Sequence, residues 1–336
     1  MKSSPNPIRL QLPARSRTKL PVLRTPGYYR APAAAAAQLL LTCWAVLSPP
    51  AHAMGAANCG DLEHRFDLIK AEVASDQLDS ALFSAAEVGC QELARALLET
   101  GASLEARDRL GATPLAHAAR AGQLATTKFL LAQGAQIDAR DISGATALYH
   151  AANDERQATV ALLVAKGAHL DLPGRSGLTP LAIAASKGND RIVEQLLSRN
   201  ANPNVTDMTG KTAMTYAAVR GFAEVVRRLL GAGVDANRRY GNDLTALMWA
   251  AGYEDGVGVP AAVSVIDLLL DAGAAPDAVD ARGRTALMIA ADLGHGEMAD
   301  ILIERGANRN VRDRAGKTAL DLAADDNLRR IIALVR

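Results

Sequence analysis

The chain has 336 residues, 37 basic and 36 acidic, for a formal net charge of +1, and 49% of it is hydrophobic. That balance excludes an intrinsically disordered chain, and three cysteines are too few for a disulfide-built scaffold. Aromatic residues make up only 4%, so a core has to be assembled from aliphatic and small side chains.

Residues 1–53 carry seven basic residues (Lys2, Arg9, Arg15, Arg17, Lys19, Arg24, Arg30) and no acidic one. An apolar run from Ala33 to Leu47 follows, and then Ser48-Pro49-Pro50 and Ala51-His52-Ala53. A basic stretch, an apolar run and an A-x-A site form the layout of a secretory signal peptide, with cleavage near Ala53. The run is short for a membrane span, so no stable membrane insertion is expected once it is removed. An Arg-rich organellar transit peptide is the alternative. Without this segment 30 basic residues face 36 acidic ones, a net of −6. Nucleic-acid binding then loses its main driving force.

Residues 54–74 form a lead-in. Leu62, Phe66, Ile69 and Val73 recur at helical spacing and predict one amphipathic helix over 61–74. Such a helix suits an N-terminal cap on whatever stack follows. Cys59 precedes it, and Cys90 lies in the next inter-helix turn. In an oxidising compartment the two can pair; otherwise they are two thiols.

From residue 75 onward one short sequence is repeated. Thr113, Thr146, Thr179, Thr212, Thr245, Thr285 and Thr318 each open a Thr-Pro/Ala-Leu/Met step leading to a pair of alanines, at intervals of 33, 33, 33, 33, 40 and 33 residues. A weaker copy starts at Ser80. The unit reads as two helices. Thr179-Pro180 is an N-cap followed by the residue suited to the first helical position. Leu181, Ala184 and Ala185 give a small-residue face. Gly188-Asn189 breaks the helix, and Ile192, Val193, Leu196 and Leu197 build a second one. It stops at Asn200, where most copies have Gly, because that position calls for a left-handed residue.

The period, the Gly111-Ala112-Thr113-Pro114-Leu115 start and the Leu130-Leu131 to Gly134-Ala135 stop resemble ankyrin repeats over about residues 75–336. The resemblance implies an all-α solenoid of helix-turn-helix units with projecting β-turn or hairpin tips. It implies about eight repeats, starting near 75, 108, 141, 174, 207, 240, 280 and 313. The family's usual His after Thr-Pro-Leu is replaced by Ala116, Tyr149, Ala182, Thr215, Met248, Met288 and Asp321, so His-mediated bonding between repeats is not expected. Between Ala251 and Leu269 the sixth copy carries seven extra residues, within Gly252–Pro260. They read as a surface insertion or as a longer contact loop.

No motif of catalysis or metal binding appears: the six histidines lack ligand spacing and no phosphate loop or dinucleotide fingerprint is present. No cofactor is expected. His117 and His150 hold matching places one period apart. The resemblance implies that turn tips and first-helix ends line a concave, partner-binding face. The tips would carry Arg107, Arg109, Arg140, Arg175, Arg238, Arg239, Arg282, Arg284, Arg312 and Arg314, with neighbouring aspartates locking the turns. The arginines have no evident structural duty, so the row reads either as a surface for an acidic partner or as a mixed, solvated row of turns. Tyr216, Tyr240, Trp249 and Tyr253 cluster with Arg220 and Arg239 beside the insertion; they read as an interface hot spot or, for the stacked Tyr216 and Trp249, as core residues packed on each other. The sequence therefore predicts a non-enzymatic protein-interaction scaffold, exported to the periplasm or beyond, that binds another protein bearing an acidic patch. Two other readings stay open: a regulatory or small-ligand-binding, enzymatic protein, and a cytosolic or organellar adaptor whose N-terminus is misassigned.

Overall fold

The structure, a computed structural model, describes residues 58–69, 74–253 and 256–333. The signal-peptide reading and its cleavage point at Ala53 lie outside these residues, as does Val73 of the lead-in helix. Helix α1 (Cys59–Ile69) packs on the first of a series of helix pairs: α2 (Ser75–Val88) with α3 (Gln91–Thr100), α4 (Pro114–Ala121) with α5 (Leu124–Ala132), and α6 (Ala147–Asn153) with α7 (Gln157–Ala165). The series continues with α8 (Pro180–Ser186) and α9 (Asp190–Leu197), α10 (Ala213–Val219) and α11 (Ala223–Gly231), α12 (Ala246–Ala251) and α13 (Val259–Asp271). It closes with α14 (Ala286–Leu293) and α15 (Gly296–Glu304), then α16 (Ala319–Leu322) and α17 (Asp326–Ala333). First helices stack on first helices and second helices on second helices, giving two helical layers.

The threonines set where the first helices begin. Thr113, Thr146, Thr179, Thr245, Thr285 and Thr318 each accept a hydrogen bond from the N–H three residues on, which satisfies an otherwise orphaned donor. At Thr212 the bond runs the other way, with Thr215 Oγ1 accepting from the Thr212 N–H. The alanine pairs from Ala85-Ala86 to Ala290-Ala291 are fully buried, and so are Leu148, Leu181, Ile192, Leu196, Leu229 and Leu247, while Ala324 of the closing copy is exposed. Small residues let neighbouring helices approach, and the branched ones fill the space between layers. Asn200 takes φ +66, the left-handed conformation its place at the end of α9 requires.

Without the family's histidine, neighbouring units are joined by three other devices. Glu105, Asp138, Asp171 and Asp277 each accept from the backbone N–H 31 residues ahead, at 2.7–2.9 Å, and Asn237 does so across the longer unit. At the inter-helix turns Gln123, Arg156 and Arg220 reach back to the carbonyls of Glu87, Arg120 and Ser186. Phe222 does the same by packing: a Cβ on Gly188 would meet its ring at 2.7 Å. The third device overturns an expectation. Arg107 and Arg140 bond the carbonyls of Arg140 and Pro173, and Arg239 bonds that of Val279, at 2.6–2.7 Å. These tip arginines do have a structural duty: their forked donors cap carbonyls of the next unit.

The tips are turns. No strand occurs among the described residues, so the hairpin alternative is not met. Adjoining tips share a single backbone bond, such as Ile142 N–H to Leu110 O or Met208 N–H to Ser176 O, too few for a ladder. The seven extra residues lengthen α13 to 13 residues against nine in α11, with Val259 and Pro260 in its first turn. Val257 packs where a Cβ on Gly221 would lie, at 2.8 Å. The insertion is thus partly helix and partly packed. Cys59 and Cys90 are disulfide-bonded, their Cα atoms 5.2 Å apart, which ties α1 to the turn before α3.

Among the described residues no helix is long and apolar enough to cross a membrane.

Candidate functional site

The residue four places after each capping threonine lies on the accessible side of its first helix. In order these are His117, His150, Ile183, Tyr216, Trp249, Ile289 and Leu322, buried at His117 and Ile183 and half-buried at the rest. The polar members are tied to the aspartate that begins their own tip, nine residues earlier. His117 Nε2 lies 3.0 Å from Asp108 Oδ2 and His150 Nε2 lies 2.8 Å from Asp141 Oδ2. The Tyr216 hydroxyl donates to Asp207 Oδ2. The other carboxylate oxygen of each aspartate accepts from two N–H groups of the turn, as Asp207 Oδ1 does from Thr209 and Lys211. Burial pushes the Asp207 carboxyl up, but the bonds from Tyr216, Lys211 and Thr209 outweigh it and hold the group below its usual value. Asp141 is held down in the same way, by Ser143 and His150 against burial. The two histidines therefore serve their own turns, and no cluster of three metal-ligating side chains exists among the described residues.

Two tips lack the aspartate. Gly174 and Tyr240 stand in its place, and there the backbone takes two successive left-handed residues, Ser176-Gly177 and Asn242-Asp243. Their column residues, Ile183 and Trp249, lose the polar tether along with it. The Lys211 ammonium stands over both aromatic rings, 5.5 Å from the Tyr216 centroid and 5.0 Å from that of Trp249. Such placement is a cation–π contact.

Beside Trp249 is an open hollow of about 350 Å³, floored by Met248, Trp249, Ile289 and Leu293 and edged by Arg282, Arg284 and Asp292. A second hollow of about 550 Å³ shares Arg282, Arg284 and Asp292 and extends to Asp313, Arg314 and Lys317. Arg284 and Asp292 are paired at 2.6 Å.

The sequence-predicted residues divide. Tyr216 and Trp249 share one ammonium. Tyr253 stacks instead on His295, with ring centroids 4.0 Å apart, and the same imidazole bonds Ala251 O through Nδ1 at 2.9 Å. Tyr240 is 7% exposed and belongs to the core, which removes it as a contact residue. Burial raises its phenol pKa, with the Thr212 hydroxyl pulling the other way. Arg220, Arg140 and Arg239 reach backbone carbonyls of neighbouring units, while Arg109, Arg175 and Arg282 are exposed at their tips. Sequence reasoning missed Lys211 and Lys317. A signal was present, because each directly precedes a capping threonine, where earlier copies have Ala112, Ala145 and Leu178. It also passed over the apolar tips, where Ile142 is 75% and Met208 84% exposed.

A family model described as ankyrin repeats (3 copies) matches residues 53–141, 138–207, 184–259 and 261–335. No curated protein matches the chain.

Proposed function

We propose, from the premise that this chain belongs to the ankyrin-repeat family, that it is a non-enzymatic scaffold which receives a partner protein along its first-helix column and turn tips. Repeats of this family generally mediate protein–protein interaction, and fold alone does not name the partner. The observation that carries the reading is the pairing of half-buried Tyr216 and Trp249 around the Lys211 ammonium. Amphipathic aromatics beside a cation, enclosed but reachable, are what interface hot spots are made of. The hollows beside them are open, which suits an extended surface more than a small substrate. We further propose a partner with an acidic patch, met by the exposed tip arginines, and export of the chain to the periplasm or beyond after cleavage near Ala53.

The test is affinity capture from native extract with full-length protein, followed by titration of the captured partner. Trp249→Ala should lose about 2 kcal/mol, about 30-fold in affinity, while the helical circular dichroism stays the same. An unchanged affinity would remove the column from the interface. N-terminal sequencing of the native protein tests export: a chain starting near Met54 is expected, and an unprocessed chain in the cytosolic fraction overturns it.

A further inference from the structure

We infer that the two hollows at the C-terminal end of the stack form one groove for an acidic peptide segment carrying an apolar anchor; this rests on the scaffold reading above and gives its partner a chemistry. The hollows are contiguous, since Arg282, Arg284 and Asp292 line both. One end is apolar. Ile289 and Trp249 are half-buried there, and Leu293 is 53% exposed beside them. A side chain laid on this floor removes apolar surface from water on both partners.

The other end is cationic, and its own carboxylates are engaged. Asp292 is paired with Arg284. Asp313 Oδ1 accepts from the N–H groups of Ala315 and Lys317, and Asp280 Oδ1 from those of Arg282 and Arg284. Arg314 and Lys317 are exposed and make no ion pair among the described residues. The Arg282 side chain is 70% exposed, with only a 3.6 Å contact to Asp280. Of these three cations Arg282 edges the apolar floor and Arg314 and Lys317 line the adjoining hollow, with Lys211 above the same tryptophan. A basic segment would meet like charge here. A polyanion without an apolar group would leave the floor uncovered. A carboxylate-rich segment with a leucine or larger anchor satisfies both ends.

The chain contains two tryptophans, so the full-length Trp44→Phe variant makes Trp249 the sole indole reporter. The probe is the capped peptide Glu-Glu-Leu-Leu-Glu-Glu, titrated while Trp249 emission is followed. A saturable change is expected. It should weaken at least about tenfold in Arg314→Glu/Lys317→Glu and again in Leu293→Ser, all exposed positions whose folding is checked by circular dichroism. Peptides with Lys for Glu, or Ser for Leu, should fail to compete. The inference is overturned if the acidic peptide gives no response, if either control peptide binds as well, or if charge reversal changes nothing. The scaffold reading is tested apart from it. Should Arg314→Glu/Lys317→Glu still retain the native partner at wild-type affinity, the groove is excluded as its seat and the scaffold stands. Should wild-type protein hold no partner while the peptide binds, the groove stands and the scaffold reading falls.

Discussion

Asp207 serves two structures at once, locking its own turn through Oδ1 and holding the Tyr216 hydroxyl through Oδ2. Burial acts to raise its pKa and the hydrogen bonds lower it further than burial raises it. A carboxyl whose folded pKa is depressed contributes stability that is present above the unfolded value, about 4, and is lost as pH falls through the lowered one. Thermal melting followed from about pH 6 to about pH 3 should therefore show a fall in stability that Asp207→Asn reduces. If the two profiles run parallel, the bonds to Asp207 do not hold its carboxyl below the usual value. Asp243 illustrates the opposite case. It sits at φ +60 where the other tips have a glycine, a conformation that strains a residue with a Cβ. Asp243→Gly should raise stability by about 0.5–1 kcal/mol, part of the relief being offset by the freer unfolded chain. Urea unfolding of the two proteins side by side measures it; an equal or lower midpoint for the glycine variant counts against strain at this tip.

Elements in this chain hold only their neighbours, so the worth of a contact depends on which junction it serves. Leu196 of α9 is fully buried between layers. Leu196→Ala should cost about 2–5 kcal/mol, read as a lowered melting temperature. Arg140 is exposed yet donates to Gly144 O at 2.8 Å and to Pro173 O at 2.7 Å. Its alanine variant should lose about 1 kcal/mol of stability with partner affinity unchanged. A loss of affinity at constant stability would restore it to the binding surface. Here the limits of sequence reading become physical. The caps, the apolar faces and the terminal Asn200 were legible because each is fixed by its own side chain within a short span. The duty of Arg140 was not, because its partner is a backbone carbonyl, which every residue carries, 33 positions away.

At the scale of the molecule, the two-layered stack was legible from periodicity, since one unit cannot bury its apolar face alone. The candidate site was legible in part. Tyr216 and Trp249 lie one period apart and so adjoin, whereas Tyr240 has the same composition argument behind it and points into the core. What separates them is position in the unit: Tyr240 replaces a tip aspartate, at a place where the side chain is nearly buried in other copies, as at Asp141 and Asp280. The bond between Cys59 and Cys90 has a mechanical consequence. A solenoid drawn apart by its ends yields unit by unit, but load on the N-terminal side passes through sulfur and bypasses the 31-residue separation the bond spans. In a force–extension experiment under oxidising conditions the fully unravelled contour should fall short by roughly 100 Å, and dithiothreitol should return that length. Equal contours with and without reductant would mean that the two sulfurs are unlinked in the protein under load.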